Sequence, residues 1–350
     1  MQTNSSSSDL TFLKIKSDQI SQALKNYLPD PKEANRKEIT HLFEMEWDYN
    51  LRGGKRLRPS LCLLTNQMLG GSDEKALPTA CAIELLHNFF LVHDDIEDES
   101  ELRRGKPALH LLEGIGHAIN VGDGLFVYVW QALVENKKIL GSSTSFKIMN
   151  EFLKQCNLTV EGQAMEIEWV KNHVFDLQES DYFDLVSRKT ANYTITTPMR
   201  LGAIIAGANS KLLNSIDVPG EKLGAAFQIQ DDVLNIIAAE KDYGKEIAGD
   251  IYEGKRTLII IHALRTANEA QRKKIIEILN KPRNQKTKED VKEVLEIISS
   301  TQSAQYSQKI AKKLAEDSKK MLEKRLSSVP NSQAKSDLFS FIDFVVEREY

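Results

Sequence analysis

The stretch Ala82–Glu99, AIELLHNFFLVHDDIEDE, constrains the fold more than any other part of the chain. Its first two-thirds is apolar on nearly every side, so as a helix it belongs in the middle of a core, wrapped by other elements. Its C-terminal end carries Asp94, Asp95, Glu97 and Asp98. Carboxylates are unfavourable at the negative end of a helix dipole, and packed together they repel one another. The chain must therefore bury an oily helix and also bring cations to its end.

Apolar residues elsewhere recur with the same 3.6-residue period, without an internal repeat and without a convincing alternating strand. Helices are expected from about 10 to 28, 38 to 51, 59 to 69, 76 to 97, 117 to 136, 145 to 172, 180 to 208 and 220 to 239. Others are expected from about 257 to 267, 269 to 279, 288 to 301, 304 to 326 and 337 to 348. Short polar stretches such as LGSSTS and ANSKLLNSIDVPGE separate them. Eighteen glycines and nine prolines in 350 residues are few, which suits long helices better than a turn-rich β fold. The expectation is one all-α domain over residues 10–350, preceded by a disordered tail, MQTNSSSSD, at 1–9.

A net charge of −4 argues against a general nucleic-acid binder. Three cysteines, Cys62, Cys81 and Cys156, without a C-x-x-C pair read as small core residues in a reducing, cytoplasmic setting. Uninterrupted apolar runs such as Leu201–Ala208 stop far short of the ~18 residues of a transmembrane segment.

Asp94 and Asp98 lie four residues apart, on one helix face, and can grip the same cation. Oxygen ligands without His or Cys suit Mg²⁺, which completes its shell with water and substrate phosphates. A second site of the same kind occurs in GAAFQIQDDVLNIIAA, at Asp231, Asp232 and Asn235. Uncompensated buried charge costs several kcal/mol per ion, so two such pairs call for cations between them, opposed across a cavity. Basic segments supply the complement for phosphate: Arg52–Arg58, Arg103-Arg104-Gly105-Lys106, and Lys245, Lys255 and Arg256.

These segments together resemble the trans-isoprenyl diphosphate synthases of the short-chain, farnesyl and geranylgeranyl diphosphate synthase type. The matching stretches are GGKRLRP (53–59), ELLHNFFLVHDDIEDESELRRGKP (84–107), GDGLF (122–126), EGQAMEIE (161–168), RKTA (188–191), FQIQDDVLN (227–235) and GKEIAGDIYEGKRTL (244–258). The resemblance implies a single-domain orthogonal helical bundle around a central cavity, and a Mg²⁺-dependent prenyltransferase condensing isopentenyl diphosphate with an allylic diphosphate. It implies that Lys55, Arg58, His87 and Arg104 hold isopentenyl diphosphate. Arg103, Lys189, Thr190, Gln228, Lys245 and Lys255 would hold the allylic diphosphate. Asp94 and Asp98 would coordinate two Mg²⁺ ions and Asp231 a third, with Asp95 and Asp232 in support. Asp94, Asp98, Asp231 and Lys189 would be the catalytic set. A homodimer is the family's usual assembly; the apolar helix 117–136 suits a partner face, and equally burial within one chain.

Phe90 and Phe89 lie four and five residues before Asp94, roughly 6 and 7.5 Å along the axis. Rings there floor the tail cavity and favour farnesyl (C15) or geranylgeranyl (C20) products; C20 is the expectation. Three positions depart from the family pattern. Asn235 replaces a carboxylate in the second motif, which weakens a third metal site. Glu166 replaces Asp in the GQ-x-x-D segment, read as a mild change outside the metal shell. The C-terminus carries Arg348 alone where some relatives have a basic pair or triplet.

A class I terpene cyclase would share the fold and first motif, but it wants Ser or Thr at Asn235 and Glu at Ala239 and has no use for GGKRLRP. A di-iron bundle would use the E-x-x-H pairs Glu84–His87 and Glu38–His41, the latter in a polar stretch ill suited to a buried ligand. A non-catalytic partner subunit is the third alternative, and the intact acidic and basic motifs speak against it.

Overall fold

The computed structural model describes residues 11–237 and 247–347. The tail expected at 1–9, Lys245 and Arg348 therefore lie outside the described residues. The N-terminal part runs through α1 (Thr11–Leu24), α2 (Lys37–Leu51), α3 (Leu57–Met68) and α4 (Asp73–Glu97) to a small antiparallel ribbon of β1 (Leu102–Arg103) and β2 (Lys106–Pro107). The middle contains α5 (Leu109–Glu113), α6 (Ile115–Lys171), α7 (Glu179–Val186), a π-helical segment (Ser187–Thr196), α8 (Thr197–Ile205) and α9 (Ser210–Ile237). The last part consists of α10 (Gly249–Glu253), α11 (Leu258–Thr266), α12 (Glu269–Leu279), α13 (Lys288–Ser300), α14 (Ser303–Arg325) and α15 (Gln333–Glu347). The all-α expectation holds; the ribbon only turns the chain so that Arg103 and Arg104 face back toward α4.

Helix α4 is central, as its all-round apolar sequence requires: Ala80, Cys81, Ala82, Leu85 and Asn88 have no accessible surface. By length and hydropathy alone α4 is capable of crossing a bilayer, yet 67% of its apolar window is buried inside this fold. One hydrophobic cluster surrounds α4 and the first half of α6, and a second surrounds α9 and α11–α15. Helices α3 and α8 give side chains to both, Leu61 and Met199 to one, Leu63 and Leu201 to the other.

Two expected boundaries are wrong, each for a physical reason, and a third holds. The break expected at LGSSTS holds: α6 is two helical arms that meet at Gly141, whose φ of +78° and ψ of 165° are non-helical and open to a residue without Cβ. The stretch from 208 to 221 is not a loop, since α9 starts at Ser210 and carries Pro219 inside it. Proline leaves the carbonyl of Ser215 without its helical donor, and the Arg325 guanidinium donates to that oxygen instead at 2.7 Å.

The helix expected over 180–208 is interrupted by the π segment, which widens the turn and aims Lys189, Thr190 and Tyr193 into one cavity. Two glycines let its neighbours approach. A Cβ on Gly162 of α6 would stand 2.6 Å from the Lys189 backbone nitrogen, and one on Gly224 of α9 would stand 2.5 Å from Ala191. The segment is thus clamped on both sides. Replacing Gly162 with Ala should overpack this contact at a cost of about 1–3 kcal/mol. The check is a calorimetric melt, with the variant unfolding several degrees below the parent; an unchanged melt would mean the clamp is not tight.

Candidate active site

A cavity of about 750 Å³ opens among α3, α4, α6, the π segment, α9 and the α10–α11 link. Asp94 borders it from α4 and Asp231 and Asp232 from α9, so the two acidic motifs look into the same space.

On the α4 side, Asp94, Asp98 and Glu166 each place a carboxylate oxygen within 4.8 Å of the others. Two ammonium groups hold this cluster. Lys189 Nζ donates to Asp94 at 3.0 Å and also pairs with Glu166. Lys255 Nζ donates to Asp98 at 2.6 Å and lies 2.7 Å from Glu253. Burial favours the neutral form of Asp94, but Lys189, Lys255 and Arg103 outweigh it and hold the carboxyl well below its ordinary range. Asp98 goes the other way: burial pushes it up, and the charges of Asp94 and Glu253 add to that against Lys255. Arg103, shared with Asp95, also reaches Asp94 at 4.0 Å and Arg283 reaches Glu253 at 3.6 Å, so five carboxylates share four cations and the cluster is short of positive charge. An all-oxygen donor set in that state fits a hard divalent cation such as Mg²⁺.

The paired aspartates divide their labour. Asp95 is buried and does not border the cavity. It accepts from Arg103 Nε at 2.8 Å and from the Tyr49 hydroxyl at 3.4 Å, so it fixes Arg103 rather than facing an ion. Asp232 accepts from the Tyr182 hydroxyl and from Gln228 Nε2, both at 2.7 Å, and burial together with the Asp231 charge pushes its pKa up. Gln228, expected at the allylic diphosphate, is thus tied to Asp232 at the cavity edge. Asn235 turns away from the cavity: it is buried and its Oδ1 accepts the Asp250 backbone N–H at 3.2 Å. The amide therefore docks the start of α10, an arrangement that needs no third charge.

The opposite wall is basic. Lys55, Arg58, His87 and Arg104 all border the cavity. Arg58 stacks over the Tyr193 ring, 4.3 Å from its centroid, and lies 3.3 Å from His87 Nε2. A ring that accepts from Arg58 at Nε2 carries its proton on Nδ1, 3.0 Å from the Tyr193 hydroxyl. Burial, followed by the charges of Arg58 and Arg104, pushes the His87 pKa well down. Arg104 donates to Asn88 Oδ1 at 3.0 Å and lies 3.6 Å from Glu84, which Arg56 also pairs. Glu84 between two guanidiniums is no iron ligand, which removes the di-iron reading. Lys55 lies 5.3 Å over the Phe344 ring of α15.

The apolar end is aromatic. Phe90 packs edge-on to Tyr193 at 5.9 Å, and Phe89 packs on Phe126 at 4.9 Å and on His93 at 4.7 Å. Both rings border the cavity, one helical turn below Asp94. Three participants escaped the sequence reading. Glu166 was placed outside the metal shell, and its carboxylate lies within 4.8 Å of those of Asp94 and Asp98. Tyr193 sits beside RKTA, four residues after Lys189 and on the same face, a spacing that could have marked it. Glu253 stands two residues before Lys255 and pairs with it only because α10 ends there.

A family model described as polyprenyl synthetase matches residues 40–298. The chain belongs to the polyprenyl synthetase family. It is 37% identical over 296 residues to a geranylgeranyl diphosphate synthase of Saccharolobus solfataricus, covering 85% of this chain and 87% of that one. Its fold matches the crystal structure of a geranylgeranyl pyrophosphate synthetase from Pyrococcus horikoshii with a TM-score of 0.84 and 33% identity, over 97% of this chain and 98% of that one. It also matches a polyprenyl synthase from Caulobacter crescentus, complexed with calcium and isoprenyl diphosphate, with a TM-score of 0.84 and 25% identity over 100% of both chains.

The basic wall of this family member carries a pH signature. The unfolded chain binds a proton at His87 below about pH 6.5 and the folded chain does not, so folding stability falls as pH drops through that window. Replacing His87 with Gln should flatten that part of the acid sensitivity, read from denaturation midpoints at pH 5.5 and 7.5. A ring proton titrating near pH 6.5 by NMR in the free protein would contradict it.

Proposed function

We propose that this polyprenyl synthetase joins isopentenyl diphosphate to an allylic prenyl diphosphate, releasing diphosphate and a trans-prenyl diphosphate, with geranylgeranyl diphosphate (C20) as main product and farnesyl diphosphate (C15) as the shorter one. The observation that carries this reading is a single cavity with two acidic patches, a basic wall and an aromatic floor. The names of the Saccharolobus and Pyrococcus relatives support the C20 product. The family match and the coverage of the Pyrococcus structure support reading residues 10–350 as one catalytic domain.

Asp94, Asp98 and Asp231 would hold Mg²⁺, three ions with substrate bound, and Glu166 is placed to share the load. When bound, Mg²⁺ neutralises charge developing on the allylic diphosphate as its C1–O bond breaks. Lys189, Lys255, Arg103 and Thr190 border the space on the acidic side and are placed to receive the allylic diphosphate oxygens. Lys55, Arg58, His87 and Arg104 are placed for isopentenyl diphosphate. A diphosphate there would raise the proton affinity of His87, turning a neutral ring into a second donor. The C3–C4 double bond of isopentenyl diphosphate attacks C1, the allylic C–O bond breaks, and the departing diphosphate takes the proton that leaves the new trans double bond. Leu185, Val186 and Phe227 border the reaction space and keep water from the allylic cation.

The cyclase alternative has no support in this site, because Asn235 faces α10 and the basic wall fits a second diphosphate. The working form we propose is a homodimer, supported by exposed apolar side chains on both arms of α6, Ile119, Val127 and Val134 before Gly141 and Phe146, Leu153, Val160 and Ile167 after it. Three free cysteines, two of them buried, support a cytoplasmic setting.

Asp94→Ala should abolish turnover of isopentenyl diphosphate with every allylic primer, with an unchanged helical circular dichroism spectrum. Residual turnover above about 1% of the parent would contradict the assignment. Phe90→Ala and Phe89→Ala should each lengthen the product distribution by one or more isoprene units, read by chromatography of the dephosphorylated alcohols. Identical profiles from both would remove the floor.

A further inference from the structure

Lys255 Nζ has two carboxylates within reach, Asp98 at 2.6 Å and Glu253 at 2.7 Å. Asp98 belongs to the cluster that fits a metal, whereas Glu253 does not border the cavity. The Glu253 side chain is only 12% exposed, and its two oxygens have different partners. Oε2 takes Lys255. Oε1 accepts from the Ser100 hydroxyl at 3.4 Å and lies 3.6 Å from the Arg283 guanidinium. The carboxylate thus has one cation that borders the cavity and a second that does not.

Arg283 comes from a one-turn 3-10 helix, Arg283–Gln285, in the polar link between α12 and α13. None of the acidic or basic motifs in the sequence contains it. The turn is docked on the end of α10. The Arg283 guanidinium lies over the Tyr252 ring, 5.7 Å from its centroid, and Lys286 Nζ donates to the Tyr252 carbonyl at 2.7 Å. Lys286 is itself buried, so the link cannot drift from α10 without exposing that contact. Arg283 therefore meets Glu253 from a fixed position.

A lysine that receives a diphosphate oxygen has to loosen its hold on the carboxylates beside it. Metal ions replace Lys255 at Asp98, but nothing of that kind reaches Glu253. A buried carboxylate stripped of its cation is strongly disfavoured, so Glu253 on its own would keep Lys255 back. We infer that Arg283 is a positioning residue for the allylic diphosphate: it holds Glu253 from outside the cavity, so that Lys255 is free to turn to the diphosphate. The inference rests on the prenyl transfer proposed above and adds to it a residue far from the motifs that touches no substrate.

The test measures binding of a non-reactive allylic thiodiphosphate to the full-length protein by calorimetry in the presence of Mg²⁺, alongside steady-state kinetics. Arg283→Gln should weaken binding fivefold or more and leave the KM for isopentenyl diphosphate within twofold of the parent. Arg283→Met is a second neutral variant with the same expectation, should Arg283→Gln fold poorly. Arg283→Lys, which keeps the charge, should stay within threefold of the parent. In a Glu253→Gln background no carboxylate competes for Lys255, so the same Arg283→Gln change should cost less than twofold. Unchanged binding in both neutral variants overturns the inference. A loss of equal size in the Glu253→Gln background also overturns it, because the arginine would then act through general folding and not through Glu253. A parent that binds the thiodiphosphate but makes no prenyl diphosphate overturns the activity itself, a failure that calorimetry keeps apart from the other two.

Discussion

Lys189 and Lys255 each bridge two buried carboxylates, and most of the site follows from that sharing. Lys189 serves Asp94 and Glu166, and Lys255 serves Asp98 and Glu253. The groups come from α4, α6, the π segment and the α10 end, so their attraction ties four separate elements around one space. The balance is incomplete, and Asp98 shows it by favouring the proton in the buried cluster. Divalent ions would supply the missing charge and release the two lysines to a diphosphate. The same lysines can thus hold the carboxylates together and receive substrate.

The architecture explains why such a charged cluster survives inside a protein. α4 is anchored along its length by residues with no accessible surface, so its acidic end cannot swing out to water. The π segment is confined by Gly162 and Gly224, which fixes where Lys189 and Tyr193 point. Arg103 is locked by Asp95, and Asp232 by Tyr182 and Gln228. Each motif therefore contains an aspartate that braces the wall, Asp95 in the first and Asp232 in the second, the latter also bordering the cavity. Buried charge is tolerated where both sides of every pair have little freedom to relax.

Much of this was legible in the sequence. Two Asp pairs in apolar helices demanded shared cations, and the structure puts both motifs on one cavity. The apolar periodicity located most helices, because burial of one face is what forms them. What stayed hidden depended on distant partners. Pro219 and the polar run before it read as a loop, but Arg325 from α14 satisfies the carbonyl that proline leaves bare. The π-helical turn at Ser187–Thr196, which Gly162 and Gly224 on other helices approach closely, and the contact of Tyr193 with His87 leave no local mark in the sequence. The pairing of Glu166 with Lys189 was hidden for a similar reason, because the lysine arrives from another element.

The central claim is that Asp94 and Asp231 serve one ligand from opposite walls. The most direct measurement is a crystal structure with manganese and a non-reactive allylic thiodiphosphate, with metal positions taken from anomalous scattering. The account predicts peaks on both the Asp94–Asp98 side and the Asp231 side, all bridged by the same diphosphate. Peaks confined to one motif, or a diphosphate bound with Asp231 left out of contact, would contradict it.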